Sequence, residues 1–232
     1  MADTTIDLDS FDALTFDCYG TLIDWESGIL DTLAPVVGRD GRAVDGARLI
    51  ASYHAAEASL EAGEYLPYRE IAARALAEVC GECGVIITDA DRERFQQTVG
   101  TWPAFEDSAE SLQRLADRYR LGVITNCDDE LFALSSQRLG VEFDWIVTAQ
   151  QAGAYKPSER PFRLAFERID VPRERILHVA QSLFHDHPTA RRLGMNSVWI
   201  DRRGDSTATP PSTDLADLAF PDMRSFADAA GC

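Results

Sequence analysis

The segment from Phe11 to Asp24, FDALTFDCYGTLID, limits what this chain can fold into more than any other stretch. Its run Ala13-Leu14-Thr15-Phe16 predicts a strand buried on both faces, as in a parallel sheet covered by helices. The run stops at Asp17, and Cys18-Tyr19-Gly20-Thr21 then turns the chain. A carboxylate at the carboxyl end of a first parallel strand, ahead of a glycine turn, stands where open α/β sheets place their ligands. Taken alone, such an aspartate serves equally as a turn former or a helix cap.

After Trp25 the pattern becomes helical. Apolar residues recur at three- and four-residue spacing over Ile29 to Val37, Ala47 to Ala62, Tyr68 to Cys80 and Asp89 to Val99, which predicts four amphipathic helices. Four helices with no strand between them form an insert that can hang over the end of the first strand. Residues 26–100 are therefore expected to be a helical cap, with 1–25 and 101–232 forming the core. Thr101 to Glu106, TWPAFE, suits a hinge.

Asp107 or Ser108 then caps a helix, and strands alternate with helices. Strands are predicted at Leu121 to Thr125, Phe143 to Thr148, Ile176 to Ala180 and Ser197 to Asp201. Helices are predicted at Asp128 to Leu139, at Pro157 to Ile169 with Pro157 in its opening turn, and at Pro188 to Leu193. A loop from Gly204 to Thr213 and a short helix from Asp222 to Ala230 end the chain. The fold class is α/β, a doubly wound parallel sheet with a helical cap inserted after the first strand.

Composition bounds the partners. The net charge of −17, from 39 acidic and 22 basic residues, argues against nucleic acid and anionic membrane surfaces. A small anionic substrate stays open, since helix N-termini can make one pocket locally positive. The opening MADTTIDLDS lacks a signal-peptide core, and no apolar run is long enough to span a bilayer, so a cytoplasmic protein is expected. Five cysteines, an odd and sparse set, suit a reducing compartment. Cys80 and Cys83 form a lone CxxC, better suited to helical core packing than to zinc.

Every strand end that should open into the crevice is polar: Asp17 and Thr21, then Thr125 and Asn126, then Lys156 ahead of Pro157, then Gln181, Ser182 and Asp186. Singly these are turn formers, caps and a surface amine. Jointly they converge on one sheet edge.

This order of motifs resembles the haloacid dehalogenase-like hydrolase superfamily over nearly the whole chain. The resemblance implies that Asp17 is a nucleophile, that Thr21 and Thr125 hold the substrate's anionic group, and that Lys156 steadies Asp17. Most members are phosphatases, which use a second Asp two residues after the nucleophile as general acid and an Asp in a GDSxxxD-like segment as a Mg²⁺ ligand. Here those positions are Tyr19 and Gln181. A phenol is a poor acid at neutral pH, and an amide is a weak Mg²⁺ ligand.

Both replacements suit a halide leaving group, which departs without a proton. FDCYGTLID, with tyrosine at the acid position, looks like the 2-haloacid dehalogenase branch, as does SVWIDRRG. The resemblance implies a metal-independent hydrolase without cofactor, acting on a small halogenated carboxylic acid through an aspartyl ester. Asp186 and Lys156 then prepare the hydrolytic water, Thr125, Ser182 and main-chain N–H groups at helix starts seat the carboxylate, Asn126 meets the halide, and a homodimer is an admitted assembly. The alternatives are a Mg²⁺-dependent phosphatase and a non-catalytic binding protein.

The chain also departs from that branch. Its cap arginine has no assured counterpart: Arg48 is close in position and His54 stands on a matching helix turn. Phe162 replaces a tyrosine six residues after the lysine, and Gln181 and Leu183 replace Ser and Asn of the fourth motif. His185 replaces an aromatic wall and is either catalytic or a surface residue. His187 is expected at the surface of a helix start, and His178 as a satisfied core histidine.

Overall fold

The computed structural model of the protein describes residues 6–202 and 216–232. The predicted loop from Gly204 to Thr213 lies outside the described residues. Six strands, β1 (Ala13–Phe16), β2 (Arg120–Thr125), β3 (Trp145–Thr148), β4 (Ile176–Ala180), β5 (Asn196–Ile200) and β6 (Leu218–Phe220), pair in parallel in the order 3-2-1-4-5-6. β1 is central and wholly buried, with Leu14 in register with Leu121 on one side and Leu177 on the other. The chain order reverses between β1 and β4, so the carboxyl ends of these two strands face the crevice that such sheets reserve for ligands. The sequence reading missed β6, whose three residues are too short to show a period.

Side-chain alternation along β1 explains why both faces are covered. Ala13 packs with Ile124, Val147 and the helix α8 (Arg160–Arg168) through Phe162 and Ala165. Leu14 and Phe16 point the other way, toward α5 (Ser108–Ala116) and α10 (Met223–Ala229), whose Leu112, Leu115 and Phe226 are fully buried. The remaining core helices are α6 (Asp129–Ser136), α7 (Ala149–Ala152) and α9 (His187–Arg192).

The predicted helix over 157–169 begins later, at Arg160 with Pro161 in its first turn. Lys156 through Glu159 instead form a turn, in which Ser158 N–H donates to Tyr155 O at 3.0 Å. Lys156 therefore does not immediately precede a helix. Asp107 sits at the N-cap of α5 but makes no side-chain cap there. Its carboxylate accepts from the backbone of Met223 at 2.8 Å and from Arg202 at 2.7 Å, so it caps α10 and ties the sheet's far edge to the core.

The insert is α1 (Trp25–Val37), α2 (Gly46–Glu61), α3 (Tyr68–Glu82) and α4 (Asp89–Thr98). Asp24, Asp45 and Thr88 accept N-cap hydrogen bonds, and Thr88 with Asp91 completes a capping box. The four helices bury their own core, with the rings of Tyr53 and Phe95 5.7 Å apart beside Leu33, Ile71 and Leu76. Cys80 is buried in it, Cys83 is half-buried, and both are free thiols.

The two chain segments that join the insert to the sheet run side by side. Asp24 N–H donates to Pro103 O at 2.8 Å and Phe105 N–H to Leu22 O at 3.1 Å, around an antiparallel bridge between Ile23 and Ala104. Trp102, 2% exposed, locks this crossing by lying on Gly28 of α1 and edge-on to Tyr19 at 5.8 Å. A Cβ on Gly28 would stand 2.1 Å from Trp102 Cδ1, which only a shift of the indole could relieve. Gly28→Ala is accordingly expected to lower the unfolding free energy by about 1–3 kcal/mol, the usual cost of overpacking, as read from urea denaturation with an unchanged slope.

Candidate active site

The turn after β1 aims Asp17 into the crevice. Gly20 has φ +94°, and a Cβ there would press on Trp25 Nε1 and Gln181 Oε1, so the turn needs glycine. Thr21, one helical-like turn on from Asp17, donates its hydroxyl to Asp17 Oδ2 at 2.7 Å. That same hydroxyl accepts Gln181 N–H at 2.9 Å, which fixes the turn after β1 to the end of β4.

Lys156 reaches the centre from the turn after α7. Its ammonium donates to Asp17 Oδ1 at 2.8 Å, Asp186 Oδ1 at 2.7 Å and Ile124 O at 2.8 Å, so all three of its protons are engaged. The lysine is held there by Asn126, whose Oδ1 accepts Lys156 N–H at 2.7 Å and whose Nδ2 donates to Lys156 O at 3.1 Å. Burial disfavours the charged lysine, but its two carboxylate neighbours win and hold it above its ordinary value. Burial pushes Asp17 upward, and the nearby Asp186 adds to this against the pull of Lys156. Asp186 is held well below the usual carboxylate range: burial opposes, but Lys156 and His178 prevail.

Behind the site, His178 Nε2 donates to Asp186 Oδ1 at 3.0 Å while Nδ1 pairs with Thr15 Oγ1 at 2.9 Å. It is the satisfied core histidine its apolar strand predicts, with Phe162 edge-on to its ring. His187 is a correction: it is fully buried, not a surface residue. Ala180 O can only accept, so His187 Nε2 carries a proton toward it at 3.1 Å, and Nδ1 pairs with Ser197 Oγ at 2.9 Å. Burial brings its pKa down to about 4.

A cavity of about 290 Å³ opens over Asp17, the size of a small-molecule site. Tyr19, Asn126, Lys156, Gln181, Ser182 and His185 share its wall with Asp17. Thr21 and Asp186 stand behind it, in contact with Asp17 and Lys156. Thr125 is also outside the lining: it is 1% exposed, and its hydroxyl has no partner among the described residues. Asn126 spends its side chain on Lys156 and Glu61.

The cap supplies what the sequence reading missed. His54, Glu57 and Glu61 line the cavity from α2, and Trp25 from α1. The indole of Trp25 and the ring of His54 are stacked at 6.1 Å. Arg48 lies exposed in the first turn of α2, outside the cavity, so His54 is the one of that pair at the site. The legible signal was the polar stripe 54, 57, 61 on one face of an otherwise apolar helix.

Tyr19 occupies the position of the phosphatase acid. Its hydroxyl is 2.9 Å from Ser135 Oγ and 3.3 Å from Cys127 Sγ, and burial pushes its pKa well up. The donors do not fit Mg²⁺ either. Asp17 and Asp186 both face an ammonium, Gln181 offers a neutral amide, and no cluster of three His, Cys, Asp or Glu among the described residues is spaced to hold an ion.

An open parallel sheet with an acidic side chain at its switch point, roofed by a helical insert, defines a class of α/β hydrolases. The model of the haloacid dehalogenase-like hydrolase family matches residues 11–194, and the chain belongs to that family. An (S)-2-haloacid dehalogenase of Pseudomonas putida is 27% identical over 196 residues, covering 82% of this chain and 84% of its own. A 5-amino-6-(5-phospho-D-ribitylamino)uracil phosphatase of Escherichia coli is 33% identical over 124 residues, covering 52% and 50%. The fold matches the L-2-haloacid dehalogenase of Xanthobacter autotrophicus solved with chloropropionic acid covalently bound, with TM-score 0.80, 18% identity, and 95% and 98% of the two chains covered.

Removing the ammonium leaves two buried carboxylates facing each other. Lys156→Met is expected to cost about 3–5 kcal/mol of stability, measured by denaturation. An Asp17 that serves as nucleophile reacts in its ionised form, so in that case activity is expected to fall as pH drops through its raised pKa. The acid limb of the pH–rate profile is expected above the ordinary carboxylate value of about 4, and in Lys156→Met it moves further up.

Proposed function

We propose that the protein hydrolyses the carbon–halogen bond of a small 2-haloacid, giving the 2-hydroxy acid. Asp17 attacks that carbon from the side opposite the halogen; a C–O bond forms, the C–X bond breaks, and X⁻ leaves with its electron pair. No proton is required. Water then adds to the carbonyl carbon of the aspartyl ester, giving the hydroxylated product, a proton and Asp17 again.

The observation that carries this reading is the pairing of Asp17 with an ammonium and a hydroxyl in a cavity that lacks a usable general acid at Tyr19 and a carboxylate at Gln181. A buried, sparsely solvated carboxylate is a strong nucleophile toward carbon. Lys156 and Thr21 keep donating to the ester oxygens once it has reacted, which polarises the carbonyl for water. Asp186 Oδ2, buried and without a partner among the described residues, is the acceptor assigned to the water's proton. Asp186 is an acidic carboxyl and hence a weak base, so Lys156 carries much of this step through charge stabilisation. The 2-haloacid dehalogenase relatives support the substrate skeleton. No described helix is long and apolar enough to cross a membrane, and five free thiols support a cytoplasmic site of action.

The phosphatase reading rests on the shorter match to the E. coli enzyme and is separated by one comparison. Halide release from 2-chloropropionate and chloroacetate is expected to survive EDTA, with no turnover of p-nitrophenyl phosphate. EDTA-sensitive phosphate release with no halide release would overturn the proposal.

A further inference from the structure

Resting on the carbon-directed reading above, we propose that His178 is a positioning residue for the second half of the reaction. It holds the Asp186 carboxylate so that one oxygen, Oδ2, stays open to the water that hydrolyses the aspartyl ester. Three observations lead there.

The first is the placement of His178. It is the register partner of Thr15 on the neighbouring central strand, and it is fully buried. Phe162 of α8 meets its ring edge-on at 5.1 Å. On such an apolar face a phenylalanine would fill similar space without burying polar atoms. The two strands instead hold an imidazole and a hydroxyl there, paired at 2.9 Å.

The second is what the imidazole touches. Asp186 is held well below the usual carboxylate range by Lys156 and His178, and an ionised carboxylate only accepts hydrogen bonds. His178 Nε2 therefore carries the proton of the 3.0 Å bond to Asp186 Oδ1. That donor is the same whether or not Nδ1 is also protonated.

The third is how Asp186 uses its two oxygens. It stands at the N-cap of α9, where an aspartate ordinarily accepts from the first turn of its helix, yet its side chain makes no cap bond. Oδ1 takes both donors, Lys156 at 2.7 Å and His178 at 3.0 Å. Oδ2 is buried and has no partner among the described residues. A single contact with the flexible lysine would leave the carboxylate free to rotate about Cβ–Cγ and spend either oxygen. A second donor, fixed on β4, stops that rotation with Oδ2 unspent.

In the hydrolytic half-reaction the water oxygen bonds to Asp17 Cγ while one water proton moves to Asp186 Oδ2. The bond from Cγ to the substrate oxygen then breaks, and that oxygen takes the proton back to become the product's hydroxyl. The second water proton leaves from the reformed Asp17 carboxyl. The earlier attack of Asp17 on carbon moves no proton and makes no use of Oδ2.

The test follows single turnovers of the full-length protein, in excess over (S)-2-chloropropionate, by rapid quench. Chloride reports the attack on carbon and lactate the hydrolysis within one reaction, so the lag between them is independent of how much of a variant folds. His178→Phe keeps a ring and removes the donor. In it the chloride phase is expected to stay at the wild-type rate, while lactate formation slows at least about tenfold, the scale of one hydrogen bond to a charged group. The ester then accumulates on the Asp17 peptide, as read by mass spectrometry. His178→Asn, whose shorter amide pairs with Thr15 and falls short of Asp186, is expected to show the same lag and serves if the phenylalanine variant does not fold. His178→Gln, whose NH₂ can replace Nε2–H, is expected to shorten it. A wild-type lag in the Phe and Asn variants, chloride and lactate slowed equally, or one lag common to all three variants would overturn the inference while leaving the proposed reaction standing. No chloride release by the wild type would overturn the proposed reaction, and this inference with it.

Discussion

One ammonium between two buried carboxylates governs the geometry of this molecule. Lys156 comes from a turn between two helices, Asp17 from the end of the central strand and Asp186 from the loop after its neighbour, so the contact draws three separated parts of the chain to one point. Burying these charges is costly, and the arrangement persists because every proton of the ammonium has an acceptor and Asp17 and Asp186 are bonded again by Thr21 and His178. The same completeness shapes the chemistry. Lys156 has no spare proton for a ligand, and what its ammonium sets is the charge around Asp17 and the direction of that carboxylate.

The sheet edge supplies a reacting group and its electrostatic support, yet Thr125 and much of Asn126 turn inward, toward the protein. Part of the cavity wall comes from α1 and α2 instead, through Trp25, His54, Glu57 and Glu61. Trp102 and the paired crossing at 22–24 and 103–105 connect those helices to the turn after β1 through Tyr19 and Gly28. Movement of the insert and the shape of the cavity are therefore coupled by direct packing, and a substitution at the crossing would be felt at both.

Much of the fold was legible because local signals agreed with the global pattern. β1 and β4 match their predicted bounds residue for residue, since a short apolar run between polar ends has few other readings. The four insert helices follow their apolar period and their Asp24, Asp45 and Thr88 caps. The misreadings arise where a side chain serves something distant in sequence. Asp107 looks like the cap of its own helix and caps another 116 residues away. His187 opens a helix, where polar residues are usually exposed, but β5 brings Ser197 beneath it. That Asp17, Thr21, Lys156 and Asp186 come together could be read because they follow strand ends in chain order. Glu57 and Glu61 could not be assigned to the site, since which face of α2 looks down depends on how the insert packs, and a polar stripe on a helix ordinarily faces water.

The central claim is that the Asp17 side chain bonds to carbon, and oxygen tracing tests it most directly. In a single turnover in H₂¹⁸O with enzyme in excess over a chlorinated substrate, the account predicts ¹⁸O in the Asp17 peptide and unlabelled oxygen in the product's new hydroxyl. Label appearing at once in the product, with Asp17 unlabelled, would mean that water attacks the substrate directly and would contradict it.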